Sequence, residues 1–255
     1  MGKTGVYAAR HGIKQLRAIH EPDVIIANGD AATGGFGIGK NHSITLHKAG
    51  VDVITGGDQI YFKKDMVDHI SRAPYMLRPA NLPPKAPGRG WSVYQAGDMR
   101  LGVISMLGLA GYGRVHPSNP YTYAPQLIER LRAESDAVLM DYHAGTTAEK
   151  YTMFHHLSGS LAAVIGTGQR VQTADADIFP GGTAVICDAG RTGSQNSVNG
   201  LDPEIEIRKF RTAMPLRSQE CWELLQVQGV CVTIGTDGRA EAIEAVRHDV
   251  EVQSK

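Results

Sequence analysis

Four short segments concentrate the residues able to do chemistry: Asn28-Gly29-Asp30-Ala31-Ala32, Gly57-Asp58-Gln59, Asp141-Tyr142-His143-Ala144 and Gly166-Thr167-Gly168-Gln169-Arg170. Carboxylate oxygens suit hard divalent cations, and a neutral imidazole suits transition metals. Carboxylates and a histidine brought together from separate loops are the usual means of holding ions against a phosphate ester. In an open α/β sheet, loops beyond the carboxyl ends of the strands are where such groups meet.

The elements that must position them are legible as apolar, β-branched runs. Asp23–Asn28, Val51–Thr55, Leu101–Ser105, Ala137–Asp141, Ala163–Gly166 and Ala184–Asp188 read as buried strands. Helix-like stretches alternate with them at Tyr7–His20, His42–Ala49, Lys63–Ser71, Tyr123–Ala133 and Thr147–His156. This alternation predicts an α/β fold with a largely parallel sheet in its early part. Val227–Ile234 and Ala240–Val246 flank Gly235-Thr236-Asp237-Gly238, a hairpin signal. The proline-dense Pro79–Gly88 predicts a rigid surface loop. We expect a single domain over 1–255.

Composition narrows the function classes. Lysine plus arginine equals aspartate plus glutamate, 26 against 26, so no global field draws the chain to nucleic acid or to an anionic membrane. No apolar run reaches the about 18 to 20 residues of a membrane helix, and Met1–Gly5 lacks the apolar core of a secretory signal. Cys187, Cys221 and Cys231 are an odd set without metal-ligand spacing, the usage of a reducing compartment. The expectation is a cytoplasmic protein in which any nucleotide binding must be local.

Taken in order, the four polar blocks and Arg78-Pro79-Ala80-Asn81 resemble the YmdB-type branch of the calcineurin-like metallophosphoesterases, whose members are similar to 2′,3′-cyclic nucleotide phosphodiesterases. The resemblance covers nearly the whole chain. It implies a layered α/β/β/α sandwich, with the family's first strand missing or truncated here. It also implies divalent metal ions, iron or manganese, and a phosphate-containing small molecule or nucleotide as partner, with a protein partner or a homo-oligomer left open.

The family's functional residues carry over unevenly. Its bridging glutamate corresponds to Asp30 and an asparagine ligand to Asp58, while its histidine ligand is retained as His143. Three further ligand positions hold Ala31, Gly168 and Arg170; the first two have no donor, and the third is a permanent cation. The histidine expected to protonate the leaving group is replaced by Gln59, an amide that cannot donate a proton at neutral pH. Asp30, Asp58 and His143 are too few for two ions but could hold one, since three protein ligands suffice at catalytic zinc sites. The resemblance therefore implies a degenerate centre, a weak or inactive phosphodiesterase that keeps a phosphate pocket. The alternative is an active enzyme with an altered or single-metal centre.

Arg170 and Lys40 are the candidate phosphate-binding cations, and Arg170 is expected to pair with Asp30 or Asp58. The family's first ligand, an aspartate, falls before Met1, so the natural chain is expected to start about ten residues earlier, because an α/β sheet rarely tolerates the loss of an interior strand. Gly34 to Lys40 matches the spacing of a phosphate-binding P-loop, but Asn41 stands where that motif needs a hydroxyl. Asp188–Gly193 reads equally as a border of the site and as a structural turn, and Arg114–Pro117 reads first as a surface loop, with a place near the pocket as what the resemblance implies. His42, His47, His69, His155 and His156 read as helix or surface residues.

Overall fold

Within a strand, alternate residues face opposite sides, and that period sorts this chain into layers. The computed structural model describes residues 1–252. Along the chain run α1 (Gly2–His20), β1 (Ile26–Asn28), α2 (Lys40–Lys48), β2 (Val53–Thr55), α3 (Lys64–Ile70), β3 (Met76–Leu77), β4 (Trp91–Ala96) and β5 (Met99–Leu107). There follow α4 (Pro120–Arg132), β6 (Ala137–His143), α5 (Thr147–Leu157), β7 (Ala163–Thr167), β8 (Asp177–Phe179), β9 (Thr183–Ile186), β10 (Gly193–Ser194), α6 (Pro203–Thr212), β11 (Leu225–Ile234) and β12 (Ala240–Val250).

The central sheet has the order β4-β5-β6-β7-β9-β8. Its inner four strands are parallel, and both edge strands are antiparallel to their neighbours. Val138, Met140 and Tyr142 of β6 pack with Phe154 and Leu157 of α5 and Leu127 and Leu131 of α4, which covers one face. Leu101, Val103, Leu139 and Ile165 face the other way, toward Val53, Leu77 and Ala240. That second layer consists of two small sheets, the parallel β1-β2-β3 and the antiparallel β10-β11-β12. Helices α1, α2 and α3 close the outside through Val6, Ile13, Leu46 and Met66. The α/β/β/α sandwich is thus formed, and the six expected strands and the 227–246 hairpin are present.

Where the structure departs from the sequence reading, local packing explains it. Helix α1 begins at Gly2 rather than Tyr7, and its glycines, which read as helix breakers, serve close approach. A Cβ on Gly5 would lie 2.5 Å from the carbonyl oxygen of Thr192, and one on Gly12 would lie 2.7 Å from Val227. The proline-dense segment is only partly a surface loop. Pro79, Ala80, Asn81 and Leu82 are buried. The Asn81 amide donates to the carbonyls of Leu107 (2.7 Å) and Ser118 (2.9 Å), and its oxygen accepts the Leu107 N–H at 3.0 Å. Those bonds knit the segment to the end of β5.

A trough of about 570 Å³ runs between the free edge of β1 and the Val227–Ile234 stretch of β11, floored by Leu101, Leu139 and Ile165. No helix among the described residues is long and apolar enough to cross a membrane.

Candidate metal centre

Strands β1, β2, β6 and β7 are parallel within their sheets and deliver their carboxyl ends to one rim. On β6, the residues Leu139, Asp141 and His143 share the face toward the small sheets, so the pleat itself aims two polar side chains between the layers.

Asp30 lies two residues beyond β1 and is 1% exposed. Its carboxylate is not left to solvent. The Gly57 N–H donates to Oδ1 at 2.7 Å, and the Gln59 N–H reaches Oδ2 at 3.1 Å. Wrapping the 57–59 turn around Asp30 places Asp58 alongside. The imidazole Nε2 of His143 stands 3.8 Å from Asp30 Oδ2 and 3.5 Å from Asp58 Oδ1. Asp30, Asp58 and His143 each offer a ligand atom, all within 4.8 Å of one another. A Cβ at Gly57 would fall 2.5 Å from Nε2, so only glycine permits this approach.

A second group of side chains orients the imidazole. The Thr167 hydroxyl donates to Asp141 Oδ1 at 2.7 Å, so it can only accept from His143 Nδ1, 3.0 Å away. Nδ1 therefore carries the proton, and Nε2 is the nitrogen turned to the carboxylates. Asp141 is held in turn by the Thr55 hydroxyl at 2.5 Å and the Asn28 amide at 2.8 Å. Asn28 also accepts the Asp30 N–H through its oxygen at 3.1 Å. Partners of this kind fix the tautomer and raise the basicity of a ligating histidine.

The electrostatics are those of a site built for positive charge. Burial pushes the Asp30 carboxyl up to about 6, against the opposing charge of His143. Burial alone would lower His143, but its hydrogen bond with Asp58 and the charges of Asp30, Asp141 and Asp58 outweigh that and hold it above its ordinary value. Burial would also raise Asp58, yet the hydrogen bond and charge of His143 hold it below the usual range. Two carboxylates and one imidazole nitrogen, which gives up its proton to Asp58 or solvent on ligation, converge here and fit one divalent ion.

The remaining expected ligand positions do not add donors. Gly168 adopts φ +110°, and a Cβ there would lie 3.4 Å from His143 Cε1, so this position faces the triad with no side chain. Ala31 lies beside Asp30 and borders the trough. Arg170 makes no ion pair among the described residues; the partner of both Asp30 and Asp58 is His143. The expected pairing of Arg170 is thus not formed. The backbone at Arg170 is left-handed, φ 62°, and its charge acts instead on the Met1 amino group. Arg170 does border the trough that also reaches Asp30 and His143, whereas Lys40 is exposed at the start of α2 and does not line it. Gln59 turns its side-chain oxygen to the Gly37 N–H at 3.2 Å.

Several residues escaped the sequence reading. Asn28, Asp141 and Thr167 stood in the polar blocks and Thr55 ended a strand, but none was read as a support of His143. The available signal was parity, since Asp141 precedes His143 by two residues in one strand. Lys150 of α5 is fully buried and pairs with the equally buried Asp188 at 3.3 Å. Asp188 Oδ2 also accepts the Gln169 N–H at 2.7 Å, so the 188–193 loop buttresses the 168–170 turn as well as turning the chain. Arg114 is exposed, as a surface loop requires, and it also lines a cavity with Asp58.

Comparison with known proteins agrees with this geometry. The YmdB-like protein family matches residues 1–246. A 2′,3′-cyclic-nucleotide 2′-phosphodiesterase of Bacillus subtilis (strain 168) is 32% identical over 234 residues, covering 92% of this chain and 88% of the relative. A crystal structure of a phosphatase from Mycoplasma pneumoniae superposes with a TM-score of 0.90 at 27% identity, covering 98% of this chain and 90% of that one. A crystal structure of a hypothetical protein from Thermus thermophilus gives 0.89 at 28% identity, covering 98% and 96%. A metallophosphoesterase-type rim, the α/β/β/α layers and a match over nearly the full length agree: this chain belongs to the YmdB-like protein family.

Proposed function

We propose that this chain is a nucleotide-directed phosphoesterase homologue that holds a single divalent ion, iron or manganese, on Asp30, Asp58 and His143, and that hydrolyses phosphodiesters weakly or not at all. The observation that carries the reading is the contrast inside one rim. Three donors converge within 4.8 Å, while positions 31, 168 and 170 supply Ala, Gly and an Arg that forms no ion pair among the described residues.

An ion held there would neutralise phosphate charge and polarise the phosphorus–oxygen bonds. The chain's own residues do the rest. Asp141 and Thr167 hold the His143 ring, the Gly57 and Gln59 N–H groups hold Asp30, and Arg170 in the trough wall supplies a fixed cation for a phosphate. Gln59 occupies the rim beside Asp58 but has no proton to give a leaving alkoxide. The relative from Bacillus subtilis is named for 2′,3′-cyclic nucleotides, and that substrate class is the one we assign.

The intact orientation of His143 supports a second reading, an active phosphodiesterase working with one ion. Elemental analysis of the manganese-loaded chain, paired with hydrolysis of a 2′,3′-cyclic nucleotide, separates the two. One ion per chain with negligible turnover is the expected result. Metal-stimulated turnover abolished by Asp58→Ala would favour the second reading, and two ions per chain would overturn both.

A further inference from the structure

Beside the triad lies a cavity of about 470 Å³ whose walls include Phe36, Phe62, Tyr112 and Arg114, with Asp58 and Gln59 at its inner end. Two of these rings are conspicuous. Phe36 is 56% exposed and Phe62 is 41% exposed, although apolar rings are normally buried and neither belongs to a core cluster. The Arg114 guanidinium sits 5.7 Å from the Phe62 ring centroid, a cation held against an aromatic face. Tyr112 continues the aromatic wall inward and stacks on His143, with ring centroids 5.9 Å apart and planes 21° from parallel. The aromatic cavity and the candidate metal ligands are therefore one continuous surface.

We propose that this cavity is a nucleobase subsite, in which a base stacks on Phe36 and against the Phe62–Arg114 pair while its phosphate lies at the triad. The proposal rests on the reading of the triad as a phosphate site and adds what recognises the rest of the ligand. Three features favour a base over a lipid or an apolar peptide. The walls carry three aromatic rings, and a π face accepts any base. The cation is a planar guanidinium, which stacks with aromatic heterocycles and also pairs with phosphate. The inner end is polar, which an acyl chain would leave unsolvated. The sequence supports local placement, because Phe36 sits in the glycine-rich loop Gly34–Gly37 and Phe62 lies three residues after Gln59, so both rings are carried by the two loops that also supply Asp30 and Asp58.

Calorimetric titration of the manganese-supplied full chain with 2′,3′-cyclic AMP, and separately with inorganic phosphate, tests this. The nucleotide should bind about tenfold or more tighter than phosphate. Phe36→Ala and Phe62→Ala should each weaken the nucleotide roughly 5- to 150-fold, the range for removing one stacking ring, with phosphate affinity unchanged to within about twofold. Phe36→Tyr, which keeps the ring, should restore nucleotide binding. Both positions are exposed, so the truncations leave the core intact. Nucleotide binding no tighter than phosphate, or insensitive to both truncations, overturns the subsite while leaving the phosphate reading standing. Ring-dependent nucleotide binding without any affinity for phosphate supports the subsite and rejects the phosphate reading of the triad. Binding of neither ligand rejects both.

Discussion

The hydroxyl of Thr167 stands 3.0 Å from Nδ1 of His143, and its own proton is committed to Asp141. That commitment decides which imidazole nitrogen faces the carboxylates, so a residue that touches no ligand governs the donor set.

Replacing Thr167 with valine keeps the volume and removes the acceptor. The imidazole is then free to rotate or to carry its proton on Nε2. Manganese affinity, read by titration calorimetry, should fall about 10- to 100-fold, the usual effect of losing such a partner. The melting temperature should change little by comparison, because Thr167 is only half-buried at a strand end. Unchanged manganese affinity would show that the tautomer is set elsewhere.

The strands ending near Asn28, Thr55, Asp141 and Gly166 were legible because a continuous apolar run that stops at a polar or glycine residue marks both the strand and its rim. What could not be read was the pairing across the rim. Thr55 and Asp141 are 86 positions apart, and nothing in either segment says that their side chains meet. Arg170 failed for a related reason. Its type suggested a counter-ion for Asp30, but the left-handed backbone at that residue and the short reach of His143 gave the carboxylates a different partner. Helix α6 and the edge strands β4 and β8 also escaped notice. α6 contains no buried residue and the edge strands are mostly half-exposed, so their patterns are weak. Asn81 shows the opposite case, where a proline-rich stretch that reads as surface is buried by three hydrogen bonds from one amide.

The buried Lys150–Asp188 pair is a structural dependence that can be measured directly. Both side chains are withdrawn from water, so removing one leaves an uncompensated charge. Lys150→Met should destabilise the fold by about 3–5 kcal/mol in urea unfolding, with an unchanged m-value. Adding Asp188→Asn should recover part of that loss, because the orphaned carboxylate is neutralised while its oxygen can still accept the Gln169 N–H. If the single and double variants are equally unstable, the pair's charge is not the source of the effect.

Gln59 offers the most informative gain-of-function change. Its main chain already serves the site, since its N–H holds Asp30, and its side chain lies in the cavity wall beside Asp58. A histidine there would keep the backbone bond and introduce a group that can donate a proton near neutral pH. If proton donation is what limits the proposed single-ion centre, Gln59→His should raise manganese-dependent hydrolysis of a 2′,3′-cyclic nucleotide by about 10²- to 10⁴-fold. The gain should vanish when His143 is also replaced by alanine, because the donor has no substrate to act on without the ion. If the rate stays at the unmodified level while manganese still binds, the absence of donors at positions 31, 168 and 170, rather than of an acid at position 59, is what limits hydrolysis. Restoring a donor at Gly168 then becomes the discriminating variant. That position is the harder one to refill, because φ +110° strains any side chain placed there and its Cβ would press 3.1 Å from the Ala144 carbonyl.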